Sequence, residues 1–320
     1  MLDIKFIREN KDLISAGAKK KHIEFDVDKL ISADDKRKEL LTQIEAKRAE
    51  QNEVSQKIVS ASPEERQAFI AKMQEVKTEL QKEEEELKQV MHDWQTLMVA
   101  VPNIPDMSVP DGVDDKDNQE VKVWGEKPNF TFKPKDHIEL MNALDMLDTE
   151  RGAKVSGFRG YFLKGDAVRL QFALWNFVQD HFQKKGWKQM IVPSVVRKEV
   201  FMGTGYLPQG EEDLYKTQDG DYLSGTAEVA TMGYYMDEVI DKKDLPMKIL
   251  SFSPAYRREA GAHGKDTRGL IRVHEFYKFE QVVLCEASHT ESVKFHEEIQ
   301  RNTEEMMEAL GIHYHVVANC

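Results

Sequence analysis

Apolar positions along this chain recur with two different periods, and the change between them divides it. From Ala33 to Met98 there is no glycine and one proline, Pro63, in a background dense in Glu, Lys and Gln, a composition that favours helix. In the second half of that stretch Phe69, Met73, Val76, Leu80, Glu83, Leu87, Val90, Trp94 and Leu97 step alternately by four and three. This is the seam of a coiled coil, with Glu83 its single polar member. Leu40, Ile44, Val54 and Ile58 mark a weaker first seam, interrupted by Lys47 and Gln51. Between the halves, Ser62, Pro63 and Glu65 supply an N-cap, an N1 proline and a capping-box glutamate. The pattern therefore predicts a chain reversal near Ser60 to Ser62 and two helices paired antiparallel. Leu2 to Ile31 alternates short helical patches with turn-like spots.

Beyond the helices the periodicity breaks. Val101 to Asn129 is rich in Pro, Asp and Asn and reads as a linker. After His137 come an amphipathic helix candidate, ELMNALDMLD, and the glycine-punctuated RGAKVSGFRGYFLKGD. Asp166 is placed to cap a helix over Ala167 to Lys184, whose apolar face is Leu170, Leu174, Phe177, Val178 and Phe182. Trp187 to Val196 follows as a strand, with Pro193 at an edge or an end. Near the C-terminus, Ser288 to Leu310 reads as a helix closed by Gly311 and His313 to Asn319 as a strand. His313 and His315 are two apart, but with no carboxylate or thiol in support a plain strand is the simpler reading.

Period two is clearest in Ser251 to Val283, SFSPAYRREAGAHGKDTRGLIRVHEFYKFEQVV. Two strand candidates flank a loop loaded with glycine and charge, the pattern of a β-hairpin. Alternation places Arg257 and Glu259 on one face, and Arg272, His274, Phe276, Lys278 and Glu280 together on the returning strand. Arginine forks neutralise phosphate, a phenyl ring offers a stacking surface for a base, and a carboxylate accepts from an amine. Parity alone leaves two readings open: a nucleotide site, or the wet face of an exposed strand pair.

Composition narrows the classes. The 320 residues, 40% hydrophobic and 32% charged, suit a globular protein of two domains. No apolar run approaches a membrane span, and MLDIKFIREN lacks a signal-peptide core, so the expectation is a cytoplasmic protein with no membrane partner. Cys285 and Cys320, with no CxxC, predict plain thiols and no structural zinc. A net charge of −12 opposes coating of nucleic acid by a global basic field, so any RNA contact has to be local. Gly264-Lys265 is followed by Asp266 and lacks the leading glycine of a P-loop, and GxGxxG, GxSxG and HExxH are absent.

The wording YRREAG…GKDTRGLIRVHEFYKFE resembles motif 2 of the class II aminoacyl-tRNA synthetases, and the seryl-tRNA synthetase version in particular. The resemblance runs the length of the chain: LDIKFIREN at the start, the helical arm, the connection VPNIPDMSVPDGVDDKDNQEV, a motif 1-like helix, strand and proline, and Thr226 and Glu228 of YLSGTAEVATM as a Thr-x-Glu signature. It departs at Glu275, where the family often has Gln, and at Phe279, where a smaller apolar residue is common.

What the resemblance implies is an α+β fold: an N-terminal antiparallel coiled-coil arm, then a class II antiparallel sheet core flanked by helices. The implied domains are a tRNA-binding domain over 1–104, with the arm about 33–98, a linker over 105–135, and a catalytic core over 136–320. The activity implied is serine–tRNA ligation with ATP, on tRNA(Ser), with tRNA(Sec) a second candidate. Arg257 would hold the α-phosphate and serve as the catalytic residue, Glu259 the adenine amino group, Arg272 the outer phosphates, and Phe276 would stack on adenine. Arg258, Val273, His274 and Glu275 complete the implied ATP site. Thr226, Ala227, Glu228, Arg257 and Glu280 make the implied serine site. Magnesium would arrive with ATP, with no metal held by the chain and no tightly bound cofactor. Lys47, Arg48, Lys57, Lys265 and Arg268 are candidate tRNA contacts, although a solvated helix face or charged loop explains them equally well. Residues 157–196 would form a homodimer interface.

The family's core also carries a third motif, with an arginine for the ATP γ-phosphate. Ala287 to Cys320 offers only Arg301. The resemblance therefore implies a chain that stops inside the fold and is silent or severely impaired alone, with an open sheet edge and poor solubility. The rival reading is a catalytically inactive fragment binding tRNA or a partner through the helical arm.

Overall fold

The computed structural model describes residues 2 to 320 apart from His263 and Lys265, and the side chains of Val59, Ser60 and Glu64 lie outside the description. The chain divides into two compact units, Met1–Gln119 with Ala318–Cys320, and Glu120–Val317. In the first, helix α1 (Ile4–Glu9) is capped by Asp3 and followed by α2 (Lys11–Lys20). Helix α3 (Val27–Ser60) then starts six residues before the predicted Ala33, because Asp26 accepts a hydrogen bond from the Lys29 amide and sets the start there. Helix α4 (Pro63–Ala100) begins as its sequence dictates: Ser62 accepts from the Glu65 amide and the Glu65 carboxylate accepts from the Ser62 amide.

The two helices pair along the predicted seams. Leu40, Ile44 and Val54 of α3 and Val76 and Leu80 of α4 are buried. The polar residues that interrupt the seams meet each other, since Lys47 Nζ lies 2.8 Å from Glu83 and 2.7 Å from Glu79. One cation and its carboxylates at a single level fix the register of the pairing at the cost of apolar burial.

At the base of the arm Ile7, Ile14, Val27, Leu30, Ile31 and Met98 form a core. Beside it Asp34 is completely buried, accepting from Arg8 at 2.9 Å, Arg37 at 2.7 Å and Lys38 at 2.9 Å. Burial alone would raise its pKa, but hydrogen bonds from Lys38, Arg37 and Arg8 outweigh that and lower it to about 2. A carboxyl depressed below its unfolded value of about 3.9 contributes stability that is complete above that value and is lost as pH falls through the folded one. Asp34→Asn is therefore expected to destabilise this unit by about 2 kcal/mol at neutral pH, solvent at the three cations trimming the effect. In denaturant titrations followed by helical circular dichroism, the gap between wild type and variant should shrink between about pH 4 and pH 2. A gap that stays constant across that range would show that the carboxylate charge plays no part.

In the second unit, strand β1 (Gln119–Trp124) lies within the stretch read as linker. Helix α5 (His137–Ala143), strand β2 (Leu147–Asp148), helix α6 (Thr149–Ser156) and strand β3 (Phe162–Leu163) follow, with β2 and β3 paired antiparallel. Helix α7 (Asp166–Lys184) takes Gly165 as its cap position; Asp166 is the first helical residue and makes no capping bond, contrary to the sequence reading. Phe182 packs with Trp187 and Leu250, with Val178 against them. Leu170 and Leu174, read as part of the same buried face, are 55% and 40% exposed, as is Phe172 at 55%. Leu170 and Leu174, one turn apart, thus leave an apolar strip of α7 exposed, whereas Phe172 lies on the opposite side, edge-on to Trp175.

Trp187 to Val196 is two strands, not one. Strand β4 (Lys188–Ile191) and strand β5 (Val195–Val196) join different sheets, and Pro193, with no N–H to donate, sits between them. After helix α8 (Lys198–Gly203), strands β6 (Tyr215–Lys216) and β7 (Tyr222–Leu223) complete a small antiparallel sheet in the order β5-β7-β6. Helix α9 (Ala227–Gly233) leads to the long hairpin of β8 (Met247–Tyr256) and β9 (Glu275–Leu284). These two pair antiparallel over ten residues each, and β4 adds to β8 in parallel. Helix α10 (His289–Ala309) and strand β10 (Tyr314–Ala318) end the chain, β10 pairing with β1.

The neighbourhood of the paired histidines differs from the expectation. His315 Nδ1 meets the Glu120 carboxylate and His313 Nδ1 donates to the Trp124 carbonyl at 2.8 Å, so carboxylate support exists across the strand pair. Among the described residues no group of three or more His, Cys, Asp or Glu side chains is arranged to hold a metal ion.

Candidate active site

The site is built on one face of the β8–β9 hairpin. Register sets Ser251 opposite Glu280, Ser253 opposite Lys278 and Ala255 opposite Phe276. Directly opposed residues on antiparallel strands share a face, and the three on β8 are small and fully buried. Their size leaves the space above β8 to the larger side chains of β9.

Helix α9 enters that space, anchored by a hydrogen bond of 2.7 Å from Thr231 to Ser251. The Thr-x-Glu signature of Thr226 and Glu228 straddles a helix start. In the structure Thr226 is the N-cap of α9, its hydroxyl accepting from the Glu228 amide, and Glu228 lies in the first turn. A capping threonine two residues before a first-turn carboxylate suits a helix start as well as a strand. The buried Thr226 hydroxyl donates to Glu280 at 2.7 Å and accepts from Lys278 at 3.1 Å, while Lys278 pairs with Glu280. Ala227 is buried beneath this cluster. Glu228 accepts from the Tyr206 hydroxyl at 3.4 Å, and its pKa is pushed up by burial first and by the Glu280 charge second. Two carboxylates, a hydroxyl and an ammonium thus meet in one small volume.

Arg257 stands at the loop end of the hairpin. Pairing continues one step past the strands: its amide donates to the His274 carbonyl at 3.0 Å, and His274 Nδ1 donates back to the Arg257 carbonyl at 2.9 Å. The Arg257 guanidinium lies 5.3 Å from the centre of the Phe276 ring and donates to the Gly225 carbonyl at 3.3 Å. A Cβ on residue 225 would sit 3.2 Å from the Arg257 side chain, tighter than ordinary contact, so a side chain there would shift the Arg257 stem by a few tenths of an ångström.

The loop beyond departs from strand parity. Strand β8 ends at Tyr256 and β9 begins at Glu275, so Arg257, Glu259, Arg272 and His274 lie outside both. Glu259 turns into the left-handed region at φ 55°, and the charges converge through the loop's own path: Arg272 Nη1 reaches Glu259 at 2.7 Å and Asp266 lies 3.4 Å from Arg272 Nε. Val273 is buried. Arg258 points elsewhere, donating to the Glu212 carbonyl at 3.0 Å. Glu275 is exposed, with its carbonyl accepting from Tyr161.

Tyr206, Gly225 and Lys278 belong to this constellation although sequence reasoning proposed none of them as ligand contacts. Lys278 was on the right face by parity. Nothing local marks Tyr206 or Gly225, since each acts through a partner distant in sequence. Lys47 is paired in the arm as described, Arg48 pairs with Glu84 at 2.7 Å and Lys57 with Glu53. Arg268 is exposed in the hairpin loop, and Lys265 lies outside the described residues. Arg301 is engaged by Glu304 and Glu308.

Comparison with known proteins gives consistent matches. Residues 1–105 match the seryl-tRNA synthetase N-terminal domain, and residues 215–320 the tRNA synthetase class II core domain (G, H, P, S and T). The chain is 39% identical over 321 residues to the serine–tRNA ligase of Deinococcus radiodurans, covering all of this chain and 76% of that protein. With the serine–tRNA ligase of Caldanaerobacter subterraneus subsp. tengcongensis identity is 42% over 327 residues, at the same coverage. The crystal structure of seryl-tRNA synthetase from Pyrococcus horikoshii complexed with ATP superimposes with a TM-score of 0.86 at 34% identity, covering 99% of this chain and 76% of that one. The cytoplasmic serine–tRNA ligase of Naegleria fowleri in complex with AMP gives 0.82 at 30% identity, covering 99% and 74%.

Proposed function

Because the chain belongs to the seryl-tRNA synthetase family, we propose that it activates serine with ATP and transfers the seryl group to tRNA(Ser), using the face of the β8–β9 hairpin. The reaction is two-step. The serine carboxylate attacks the α-phosphorus of ATP, the bond to the β-phosphate bridge breaks and pyrophosphate leaves; a terminal tRNA hydroxyl then attacks the seryl carbonyl and displaces AMP. No side chain has to act as nucleophile, because both attacking groups belong to substrates.

The observation that carries this reading is the meeting of Thr226, Glu228, Lys278 and Glu280 beside Arg257 and Phe276. A small amino acid with an ammonium and a hydroxyl needs two carboxylates and a polar wall, and Glu228, Glu280 and Thr226 supply them. Burial raises the pKa of Glu228, and the substrate ammonium restores the charged form. Arg257 holds the α-phosphate and takes up the charge that develops there, and the Phe276 ring receives the adenine. Glu259 accepts from the adenine amine and Arg272 neutralises the outer phosphates, with Val273, His274 and Glu275 forming the strand entry beneath them. Arg258, turned to the Glu212 carbonyl, shapes the loop from its other side. ATP enters as its magnesium complex, the ion arriving with the nucleotide and sharing its phosphate charge with Arg257 and Arg272.

The arm carries the tRNA contact, with Arg48 and Lys57 exchanging their carboxylate partners for phosphates and Lys47 adding its charge from its place between Glu79 and Glu83, and Lys265 and Arg268 meet the acceptor end. The exposed Leu170 and Leu174, one turn apart on α7, support an isologous dimer through residues 157–196. Among the described residues no helix is long and apolar enough to cross a membrane, and charging of tRNA suits the cytoplasm, where translation consumes it.

The test is amino-acid-dependent ATP–pyrophosphate exchange by protein carrying this sequence, with tRNA(Ser) and tRNA(Sec) charged in parallel. Serine should drive exchange and alanine should be rejected by roughly 10⁴-fold in kcat/KM, because a site built to bond a hydroxyl leaves buried polar groups unpaired without it. Exchange driven equally by alanine would overturn the assignment of the pocket.

A further inference from the structure

The loop between β8 and β9 holds Glu259 and Arg272, and its conformation is gripped from outside the hairpin. Arg159 lies just after α6, at φ 65°, in a bend locked by two glycines that touch. A Cβ on Gly152 would stand 2.4 Å from the Gly160 carbonyl oxygen, and one on Gly160 would stand 2.5 Å from that of Gly152. With no room for side chains there, the backbone fixes where Arg159 projects. Its guanidinium donates to the Arg272 carbonyl at 2.9 Å, to the Ala262 carbonyl at 3.2 Å and to the Asp266 carbonyl at 3.5 Å. The first lies on the returning limb of the loop and the second on the outgoing limb. Two further contacts join from the same side: His137 Nε2 accepts from the Leu270 amide at 3.1 Å, and Tyr161 donates to the Glu275 carbonyl at 3.2 Å.

We propose that Arg159 is a positioning residue for adenylation, a guanidinium clamp that joins the two limbs of the β8–β9 loop and so holds Arg272 against Glu259 where ATP binds. A planar fork with donors on both sides spans carbonyls of two strands at once, which a single ammonium cannot do. The clamp leaves the serine pocket alone, because Thr226, Glu228 and Glu280 are placed by α9 and β9 and none contacts the clamp. This inference rests on the proposed adenylation and refines it: Arg159 acts on the nucleotide half of the site through the loop backbone.

Three variants test it in the whole protein. Arg159→Ala should raise the KM for ATP in serine-dependent exchange about tenfold while the KM for serine stays within twofold, and Arg159→Lys should recover only part of the loss. In the free protein, hydrogen exchange of the Leu270 amide, bonded to His137, should accelerate about tenfold in Arg159→Ala, with β8 and β9 amides unchanged. Gly160→Ala, which displaces the bend and keeps the guanidinium, should reproduce the ATP effect. Equal increases in both KM values, or accelerated exchange throughout β8 and β9, would overturn the clamp by showing a general structural role. Unchanged ATP KM with unchanged loop exchange would also overturn it. Absence of serine-dependent exchange in the wild type would instead count against the proposed activity, and the loop-exchange measurement would still decide whether Arg159 holds the loop.

Discussion

Arg257→Ala is expected to lower serine-dependent pyrophosphate exchange by 10²- to 10³-fold, with a change in melting temperature of no more than about 3 °C. The rate effect follows from the position of the guanidinium beside Phe276 at the loop end of the hairpin. A charged donor aimed at a phosphorus that gains charge in the transition state contributes about 3 to 4 kcal/mol there. Its contribution to the resting fold is smaller. The guanidinium makes two long bonds of 3.3 Å to one carbonyl, that of Gly225, and such contacts are worth about 1 kcal/mol. Arg257→Lys keeps the charge and loses the fork, so it should recover a minor part of the rate. Exchange kinetics of the alanine variant within a few-fold of wild type would remove Arg257 from the catalytic role. A melting temperature lowered by ten degrees would make it a structural residue.

The second large effect is expected from the arm. Removing Gln43 to Glu83 and joining the helices with a short glycine linker should lower charging of tRNA(Ser) by 10²-fold or more and leave serine-dependent pyrophosphate exchange within twofold. The cut is placed by the structure. Asp34, Arg37, Leu30, Ile31 and Met98 belong to the base cluster with Arg8, Ile7 and Ile14, and stay in place. The removed segment carries its own apolar seam and its own polar level at Lys47 and Glu83, and holds no residue of the hairpin site. Charging that survives the deletion would make the arm a structural element. Exchange lost together with charging would show that the arm supports the adenylation site.

The arm could be read from its sequence because helix pairing is local. A seam of period three and four, a proline and a capping box each act within a few residues, and the structure has all three where the pattern places them. Only the start of α3 moved, because Asp26 caps the helix before its seam becomes visible. The hairpin was legible for a similar reason: ten-residue strands of period two with a glycine-rich connection have one simple pairing. Short elements fared worse. A segment such as Trp187 to Val196 cannot reveal that its two ends join different sheets, since β4 and β5 find their partners more than twenty residues away.

The composition of the site was thus set by the sequence, and its geometry by tertiary contacts. Alternation along β9 put Phe276, Lys278 and Glu280 on one face, and three small residues on β8 made room for them. That much is covalent periodicity. Thr226 and Glu228 reach the same face because α9 docks on β8 through Thr231 and Ser251. Arg272 meets Glu259 because the loop backbone turns at a left-handed residue and is held there by Arg159, more than a hundred positions earlier in the chain. Parity propagates only while a strand remains extended. Past Tyr256 the position of each charge depends on which distant donors and acceptors the fold brings to the loop, and that information resides in the packed molecule.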